Sequence, residues 1–546
     1  MKKIFAVTIC ALIFAPAVLG RRHKPLANEN KAGLYSRSIE QVLRLRENEV
    51  DLATAALIVS ERWSDLVYGR RYISRLDDMA LEIRERLTRK RLNANFRAIP
   101  VINEYLFDEL GFKSASEEAR DPNSLFLHTV LDMKRGYCLS LSILYLSLAE
   151  RLGLPLYGVV VPGHFFVRYD DGRRRFNIET TSKGGTAPDE HYINMFKVPQ
   201  SSNDSIYLKN LNKIQTLGCF FNNLGNSYDD VGNKESALLA LERAVEINPT
   251  LSEARANLGN IYLEKGQLAD AIREYKLALR INLSDAKTHN NLGNAYLRKA
   301  EIQGPNFRMG WVNYAIREYM QSLSLDPNLP DAYKNLAAAY CKQERFEQAI
   351  MRLRQAITLE PKDASCYSQL GSVYDQMGNY EQAISQHQMA LRINPNFADA
   401  HYGLGLCYNK LGFVDDEILA YKSALAVKPD MLAALVNLGS AYFGQKKYDA
   451  AIEQYKKAVL INPDEAIIHY NLGAAYSNSE NYKQGVAEYL RAVEIEPENG
   501  DAHYGLAFGF YELKKYDLAW KHIKIAEKLG VEVSKDQLDA IKRNLR

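Results

Sequence analysis

The C-terminal part of the chain repeats one pattern of apolar and small residues every 34 positions. Within residues 252–283, Leu258 and Gly259 lie in the first half, and Ala271 and Ala278 lie in the second. Apolar positions three and four residues apart predict two amphipathic helices per unit, and the small residues let these helices pack closely. Each unit ends at a turn, which recurs at Pro249, Leu283, Pro327, Pro361, Pro395, Pro429, Pro463 and Pro497.

The spacing of these turns gives the number of units. Successive turns lie 34 residues apart except for one step of 44, so nine units and a ten-residue insertion near 301–310 fill residues 216–531. Stacked helix pairs of this period predict an α-solenoid. The insertion falls between the two helices of the third unit, where we expect an edge loop. Residues 532–546 are predicted to form a polar-faced helix that caps the solenoid.

The repeated unit resembles the tetratricopeptide repeat. The resemblance implies a superhelix whose concave face is lined by the first helix of each unit and holds an extended peptide or a partner protein. An amide side chain suits such a face, because it carries both donors and an acceptor for a peptide backbone. A similar asparagine column grips extended peptide in the long repeats of protein O-linked N-acetylglucosamine transferases. The candidate groove residues are Asn223, Asn257, Asn291, Asn335, Asn437 and Asn471.

The asparagine column has a second interpretation. The same side chains would also fit an ordinary solvated helix surface or hydrogen bonds between neighbouring repeats. The pattern itself favours neither interpretation, so peptide binding and structural bonding both stay open.

Residues 50–195 lack the 34-residue period. Residues 139–148 are apolar on nearly every side, which predicts a buried central helix. The apolar runs 156–161 and 165–169 predict two strands, and a third strand follows a turn at Asp170-Asp171-Gly172.

Three chemically active residues follow one another in this segment. Cys138 is predicted to lie at the N-terminus of the buried helix, His164 in a strand after it, and Glu179 in the next strand. A helix N-terminus and a neighbouring imidazolium both stabilise a thiolate, and a carboxylate orients the imidazole through its other nitrogen. The pattern therefore predicts a cysteine nucleophile that forms an acyl-enzyme. Asn177 projects to the same strand face as Glu179 and is the alternative orienting residue.

Several short motifs of this segment resemble the SirB-type transglutaminase-like family. They are Arg75-Leu76-Asp77, Asn103-Glu104-Tyr105-Leu106-Phe107, Gly111-Phe112, Asp121-Pro122-Asn123-Ser124 and Pro162-Gly163-His164-Phe165. The resemblance covers residues 50–180 and implies an α+β domain of the transglutaminase or papain type. Many members lack the cysteine that stands here as Cys138, and transglutaminases carry an aspartate where this chain has Glu179. The predicted fold class is mainly α, with this α+β domain followed by a nine-unit solenoid.

The first 20 residues have the parts of a secretory signal peptide. Lys2 and Lys3 precede the apolar run 4–19, and Val18-x-Gly20 offers small residues for cleavage. We therefore expect export, to the periplasm or out of the cell. The basic residues that follow directly disfavour translocation, so an uncleaved segment that anchors the protein is the alternative.

The remaining boundaries complete the predicted organisation. A basic connector spans 21–49, the transglutaminase-like domain spans 50–195, and a linker spans 196–215. No second apolar run is long enough to cross a bilayer, so we expect no membrane span beyond the signal segment.

Composition excludes some classes of function. Of 546 residues, 47% are hydrophobic and 25% are charged, which is ordinary for a soluble globular protein. The net charge is only +3 and no basic face is concentrated, so we expect no nucleic acid partner. Six cysteines leave an odd five after Cys10 departs with the signal, so at least one thiol stays free in an exported monomer. No Cys or His cluster has zinc spacing, and we expect no metal and no cofactor.

Two functional hypotheses from different classes follow. In the first, the repeats hold a peptide or partner protein while the N-terminal domain performs cysteine-dependent acyl transfer or hydrolysis on peptide amides. In the second, the N-terminal domain is a degenerate fold and the whole chain is a non-catalytic protein-protein interaction scaffold. The reactivity of Cys138 discriminates them, because only an activated thiol alkylates rapidly below pH 7.

Overall fold

A computed structural model describes residues 26–63, 68–115, 121–198 and 206–545. The chain divides into two compact units, Met1–Leu292 and Gly293–Arg546. The predicted signal peptide, residues 1–20, lies outside the described residues. The first unit contains the α+β domain together with the beginning of the solenoid, and the second unit contains the rest of the solenoid.

The α+β domain is built from short helices around one long buried helix and a small sheet. Its α-helices are α1 (Ile39–Leu43), α2 (Leu52–Trp63), α3 (Gly69–Arg89), α4 (Ile99–Asn103), α5 (Leu127–Met133), α6 (Cys138–Leu152) and α7 (Asp189–Phe196). A π-helical turn, Glu104–Glu109, continues α4. The strands are β1 (Lys113–Ser114), β2 (Arg135–Gly136), β3 (Leu156–Val161), β4 (His164–Asp170) and β5 (Arg175–Ile178).

The sheet fixes the order in which candidate site residues meet. Strands β3, β4 and β5 form an antiparallel sheet in sequence order, and Val161 pairs with His164 across a tight turn. Helix α6 packs against β3 and β4 with almost all of its side chains buried, as its uniformly apolar sequence predicts. It ends at Gly153, whose φ of 71° is the left-handed conformation that glycine adopts at little cost.

Residues 26–49, predicted as a connector, fold onto this domain. Leu26, Ile39 and Val42 are buried in its core, and the Ala27 N–H donates to the Arg151 carbonyl. The apolar residues are few and stand among many charges, so the sequence pattern gave no periodic signal. Their burial makes residues 26–49 part of the domain.

The predicted linker, residues 196–215, is also partly folded. The Leu208 N–H donates to the Val160 carbonyl, and the Leu211 N–H donates to the Gly158 carbonyl, so this segment runs along β3. Tyr207, a residue of this segment, is buried. Residues 206–211 therefore tie the sheet to the first helix of the solenoid.

Pairs of antiparallel helices make up the solenoid, and the predicted fold class is confirmed. The helices are α8 (Lys213–Asp230), α9 (Lys234–Ile247), α10 (Ser252–Glu264), α11 (Leu268–Ile281), α12 (Ala286–Ile302), α13 (Pro305–Leu325), α14 (Pro330–Cys341), α15 (Phe346–Leu359), α16 (Ala364–Gln376), α17 (Tyr380–Ile393), α18 (Ala398–Leu411), α19 (Val414–Val427), α20 (Leu432–Gly444), α21 (Tyr448–Ile461), α22 (Ala466–Asn478), α23 (Tyr482–Ile495), α24 (Gly500–Glu512) and α25 (Tyr516–Lys528).

A final helix, α26 (Lys535–Arg543), follows the last pair. Ser534 caps its N-terminus by accepting from the Gln537 N–H, and Ile541 is buried against residues of the last pair, including Leu506 and Phe510. The helix therefore covers the apolar end of the stack, in the place where a capping helix was predicted.

The ten-residue insertion does not form the edge loop that the sequence predicted. It lengthens both helices of its pair, because α12 has 17 residues and α13 has 21, against 13 and 14 in the preceding pair. Trp311 stacks on Tyr296 with ring centroids 5.7 Å apart, and the Lys299 ammonium lies 4.3 Å from the Trp311 ring. These contacts give the extension packing of its own, which explains why it stays helical.

In most helix pairs, a glycine of the first helix faces an aromatic ring of the second, although Gly225 of the first pair faces Leu241. A Cβ atom built on Gly439 would lie 2.6 Å from the Tyr455 ring, closer than real Cβ contacts allow. The units that carry Ala337 and Ala507 have Leu353 and Ile523 at the ring position instead. Glycine faces a ring in the pairs Gly259 and Tyr275, Gly293 and Tyr319, Gly371 and His387, Gly405 and Tyr421, Gly439 and Tyr455, and Gly473 and Tyr489.

We expect Gly439→Ala to destabilise the compact unit Gly293–Arg546 by about 1–3 kcal/mol, because the added methyl group overpacks the Tyr455 ring. The double variant Gly439→Ala with Tyr455→Leu should recover part of this loss. Gly444→Ala is the matched control, since Gly444 lies in the same helix with nothing within 4 Å of a built Cβ. Thermal unfolding of the full chain measures all three, and equal melting temperatures for both single variants would contradict the prediction.

Candidate active site

Cys138 is the first residue of α6 and its side chain is half-buried. The preceding turn is held by Ser140, whose hydroxyl accepts from the Tyr137 N–H at 2.8 Å and donates to the Ser124 carbonyl at 3.0 Å. A side chain at Gly136 would collide with the same hydroxyl, 2.6 Å from a built Cβ. The thiol is therefore fixed at a helix N-terminus, where the helix dipole favours a thiolate.

His164 and Glu179 form a hydrogen-bonded pair. The distance between His164 Nε2 and Glu179 Oε2 is 2.7 Å, and both side chains are about 15% exposed, at 16% and 15%. The other carboxylate oxygen of Glu179 accepts from the Thr181 hydroxyl at 2.6 Å, and Tyr192 O–H donates to Oε2 at 3.4 Å. These bonds fix the carboxylate, which in turn fixes the plane of the imidazole.

The charges of the three residues depend on one another. Burial lowers the pKa of His164, but hydrogen bonding and charge interaction with Cys138 and Glu179 outweigh it and raise the pKa to about 10. Burial acts to raise the pKa of Glu179, yet the bonds from His164 and Thr181 bring it below its ordinary value. The arrangement therefore favours an imidazolium beside Cys138 and an ionised carboxylate behind it.

Aromatic rings form one wall of the site. The Phe196 ring at the end of α7 stacks on His164 with centroids 5.0 Å apart and planes 1° apart. Tyr192 also lies on α7, and the centroid of its ring is 6.3 Å from that of the His164 ring. Stacked rings restrict rotation of the imidazole and favour its charged form through cation–π attraction.

Asn177, the alternative orienting residue, makes its bonds elsewhere. Its carbonyl oxygen accepts from Arg168 Nε at 2.7 Å, and its amide nitrogen donates to Asp189 at 2.7 Å and to the Ala187 carbonyl at 3.0 Å. The structure brings Glu179, and not Asn177, to His164.

Two further groups of residues support the site, and the sequence analysis did not assign them. The Thr180 hydroxyl bonds to Ser142 at 3.0 Å and donates to the Cys138 carbonyl at 3.4 Å, which ties the end of β5 to the start of α6. Asn103 donates to the Gly184 carbonyl at 3.1 Å and accepts from Tyr145 O–H at 2.8 Å. Asn103 begins one of the quoted motifs, so that motif was the available signal for it.

The six candidate groove asparagines are all half-buried. Three of them donate to a side chain of the preceding unit, at distances of 2.9–3.1 Å. These bonds are Asn257 to Asn222, Asn291 to Asn260, and Asn437 to Tyr402. In these units the amide contributes to the stacking of the repeats, whether or not it also faces a bound peptide.

Other features of the chain bear on cofactors and membranes. In the part of the chain that the structure describes, no three His, Cys, Asp or Glu side chains come together as a metal site would require. None of the described helices combines the length and apolarity that crossing a bilayer requires. The five cysteines outside the first 20 residues are all unpaired thiols.

Comparison with protein families identifies both parts of the chain. A model described as the transglutaminase-like superfamily matches residues 70–218. Tetratricopeptide repeat models match segments that include 220–251, 259–299, 328–396 and 439–479. The chain joins a transglutaminase-like domain to tetratricopeptide repeats. The match to the transglutaminase-like domain reaches residue 218, in agreement with the folding of residues 206–211 onto its sheet.

Several curated proteins are similar to the transglutaminase-like domain. A UPF0162 protein of Xylella fastidiosa is 32% identical over 126 residues, which are 22% of this chain and 43% of that protein. A UPF0162 protein of Pseudomonas aeruginosa is 28% identical over 184 residues, 33% of this chain and 67% of that protein. Mouse F-box only protein 21 is 37% identical over 76 residues, 14% of this chain and 12% of that protein. The chain thus spans less than half the length of the Xylella relative.

Among solved structures, the tetratricopeptide repeats are similar to two bacterial proteins. MamA of Desulfovibrio magneticus is 23% identical, with 31% of this chain and 94% of that chain covered and a TM-score of 0.30. A thermophilic repeat protein of Thermus thermophilus is 21% identical, with 35% and 99% covered and a TM-score of 0.32.

Proposed function

We propose that the transglutaminase-like domain is a cysteine-dependent enzyme of the SirB-type family that acts on peptide amides, by acyl transfer or by hydrolysis. The observation that carries this proposal is the bond between His164 and Glu179, which orients an imidazole whose pKa is raised beside Cys138. A degenerate domain has no need to keep a thiol, an imidazole and a carboxylate together at a helix N-terminus.

Cys138, His164 and Glu179 each have a role in the proposed reaction. The Cys138 thiolate attacks the amide carbonyl carbon and forms a C–S bond. The His164 imidazolium gives its proton to the amide nitrogen, the C–N bond breaks, and an amine leaves a thioester behind. Neutral His164 then takes a proton from water or from a second amine, which attacks the thioester and releases the Cys138 thiolate. Glu179 stays ionised and stabilises the imidazolium throughout.

One experiment tests the proposal and separates its two outcomes. The protein is incubated with peptides that carry side-chain amides, together with a fluorescent primary amine, and the products are mapped by mass spectrometry. Incorporation of the amine means acyl transfer, and deamidated or cleaved peptide means hydrolysis. Either product should disappear in Cys138→Ala. If no product forms and Cys138 reacts like an ordinary thiol, the domain is a binding module and the chain is a scaffold.

We propose that the tetratricopeptide repeats hold a partner protein or an extended peptide on their concave face. The support is the repeat itself, whose stacking produces an extended surface, and the amides that lie along its first helices. Because these amides also bond between units, their two roles need a test that measures binding and stability together.

Replacing Asn257 with Ala should lower the free energy of unfolding by about 1 kcal/mol, because the carbonyl oxygen of buried Asn222 loses its donor. A peptide is first selected for binding to the wild-type chain. If the asparagine column also binds peptide, Asn257→Ala should capture this peptide more weakly than the loss of stability alone explains. Asn257→Asp keeps an acceptor but loses the donor, and Asn226→Ala is the control on the preceding unit. A large fall in melting temperature with unchanged capture would assign the column to packing alone.

We infer export from the charged and apolar pattern of the first 20 residues. Cell fractionation of the tagged chain, with N-terminal sequencing of the product, tests this inference. A product that begins at Arg21 in the exported fraction means cleavage, an intact N-terminus in the membrane fraction means anchoring, and a product in the cytosol rejects export.

A further inference from the structure

The turn that carries His164 contacts the second tetratricopeptide repeat. Gly163 precedes His164 and has a φ of 71°, a left-handed conformation that glycine adopts at little cost. Its N–H donates to Glu253 Oε1 at 3.2 Å, and Tyr207 O–H donates to the same oxygen at 3.3 Å. Glu253 is the second residue of α10, so one repeat side chain holds the backbone next to the catalytic imidazole.

The position of Glu253 is unusual within the solenoid. Of the seven later repeats, six expose the residue at the equivalent place, among them Lys287, Asp331 and Asp399, while Ser365 is half-buried there, and none of the seven carries a glutamate. In the second repeat, the Gly163 turn and Tyr207 cover this place. Burial raises the pKa of Glu253 to about 7, and the bonds from Gly163 and Tyr207 only partly oppose that rise. Burial of a carboxylate costs free energy unless the carboxylate accepts hydrogen bonds. Glu253 accepts two, from the Gly163 N–H and from Tyr207 O–H.

The other side of the site also rests on the repeats. Ser140, which holds the Cys138 turn, donates to the Ser124 carbonyl, and the short helix Pro122–Leu125 packs against α8. The Phe126 ring meets the Phe220 ring of α8 edge-on, with centroids 6.3 Å apart. Helices α8 and α10 therefore support the cysteine turn and the histidine turn, respectively.

We propose that Glu253 is a positioning residue for His164, and that the first two repeats are part of the catalytic unit. This inference rests on the proposed cysteine chemistry. By accepting from the Gly163 N–H, Glu253 keeps the turn in the conformation that places the imidazole between Cys138 and Glu179. A repeat array that was merely appended would leave the site intact when this contact is removed.

The test compares Glu253→Ala, which removes the acceptor, with Glu253→Gln, which keeps an acceptor oxygen. The probe is iodoacetamide, and the readout is the rate of Cys138 alkylation in the full chain at pH 7. We expect a loss of about fivefold in Glu253→Ala, as one lost hydrogen bond predicts, and a rate within about twofold of wild type in Glu253→Gln. Glu264→Ala is the matched control, because Glu264 is an exposed residue of the same helix that pairs with Lys234.

A second measurement keeps this inference distinct from the enzyme proposal. Amide hydrogen exchange of peptides covering β3, Gly163 and β4 should accelerate in Glu253→Ala and stay near wild type in Glu253→Gln. If wild-type Cys138 reacts no faster than an ordinary thiol, the proposed chemistry fails while the exchange result still tests the contact. Wild-type exchange in Glu253→Ala, or equal alkylation rates in Glu253→Ala and an activated wild type, would overturn the role of Glu253.

Discussion

Iodoacetamide at pH 6 is expected to alkylate Cys138 at least about tenfold faster than Cys341 of the same molecule. Both thiols are half-buried, but burial raises the pKa of Cys341 to about 11, so that thiol is almost fully protonated at pH 6. Cys138 instead lies at the start of α6 beside His164, whose positive charge stabilises a thiolate. Mass mapping of alkylated peptides after short exposures measures both rates in one sample.

The dependence of this rate on pH follows from the charge of His164. Because its folded pKa of about 10 lies above its ordinary value, the ring stays protonated through the neutral range. The stabilising interaction is fully present below the ordinary histidine pKa and is lost as pH rises through about 10. We therefore expect the Cys138 rate to change little between pH 6 and 8, where an ordinary thiol accelerates steeply.

Removal of the imidazole gives the decisive comparison. His164→Ala should slow Cys138 at pH 6 by about tenfold or more and leave the slow reaction of Cys341 unchanged. His191→Ala is the control, since His191 is an exposed histidine of α7. Equal Cys138 rates in wild type and His164→Ala would show that the imidazole does not activate the thiol, and the scaffold hypothesis would then be favoured.

The sequence predicted the solenoid and the three candidate catalytic residues for different reasons. The solenoid follows from contacts between residues close in the chain, so its period is visible directly as spacing. Cys138, His164 and Glu179 could be predicted because they follow a buried helix and the strands after it in a fixed order, and because each residue type has a specific chemical role. The repeat is therefore visible in the sequence as a regular spacing, and the three candidate residues are visible as a fixed order along the chain.

Contacts between distant segments were not predictable from the sequence. The bond from Gly163 to Glu253 joins residues 90 positions apart. Leu211 pairs with Gly158 through backbone atoms only, which leave no side-chain pattern. The insertion was predicted as an edge loop because it falls between the two predicted helices of its unit, whereas proline at the first position of α13 begins a helix. In each case, packing decided a question that local preference left open.

The choice between Glu179 and Asn177 is of the same kind, and it gives the second large prediction. The sequence predicted both residues on one strand face, but β5 ends at Ile178, so Glu179 lies just beyond the strand and reaches His164. Asn177 stays within the strand beside Arg168, whose side chain is fully buried. The two residues should therefore fail in opposite ways when they are replaced.

Asn177→Ala is expected to lower the free energy of unfolding of the first unit by about 2 kcal/mol, because the buried charge of Arg168 loses a hydrogen-bond partner. The Cys138 alkylation rate of the folded fraction should stay near wild type. Glu179→Gln keeps a hydrogen-bond acceptor beside His164 but is expected to slow Cys138 at pH 6 by about tenfold, since the imidazolium loses its counter-charge.

Pulse proteolysis in urea measures stability of the first unit, and alkylation of the same samples measures activation. Thr181→Val serves as an intermediate variant, because it removes only the hydroxyl that donates to the far oxygen of Glu179. Its Cys138 rate should fall between those of wild type and Glu179→Gln. If Asn177→Ala slows Cys138 while Glu179→Gln does not, the orienting role belongs to Asn177, and the bond between His164 and Glu179 is then structural rather than catalytic.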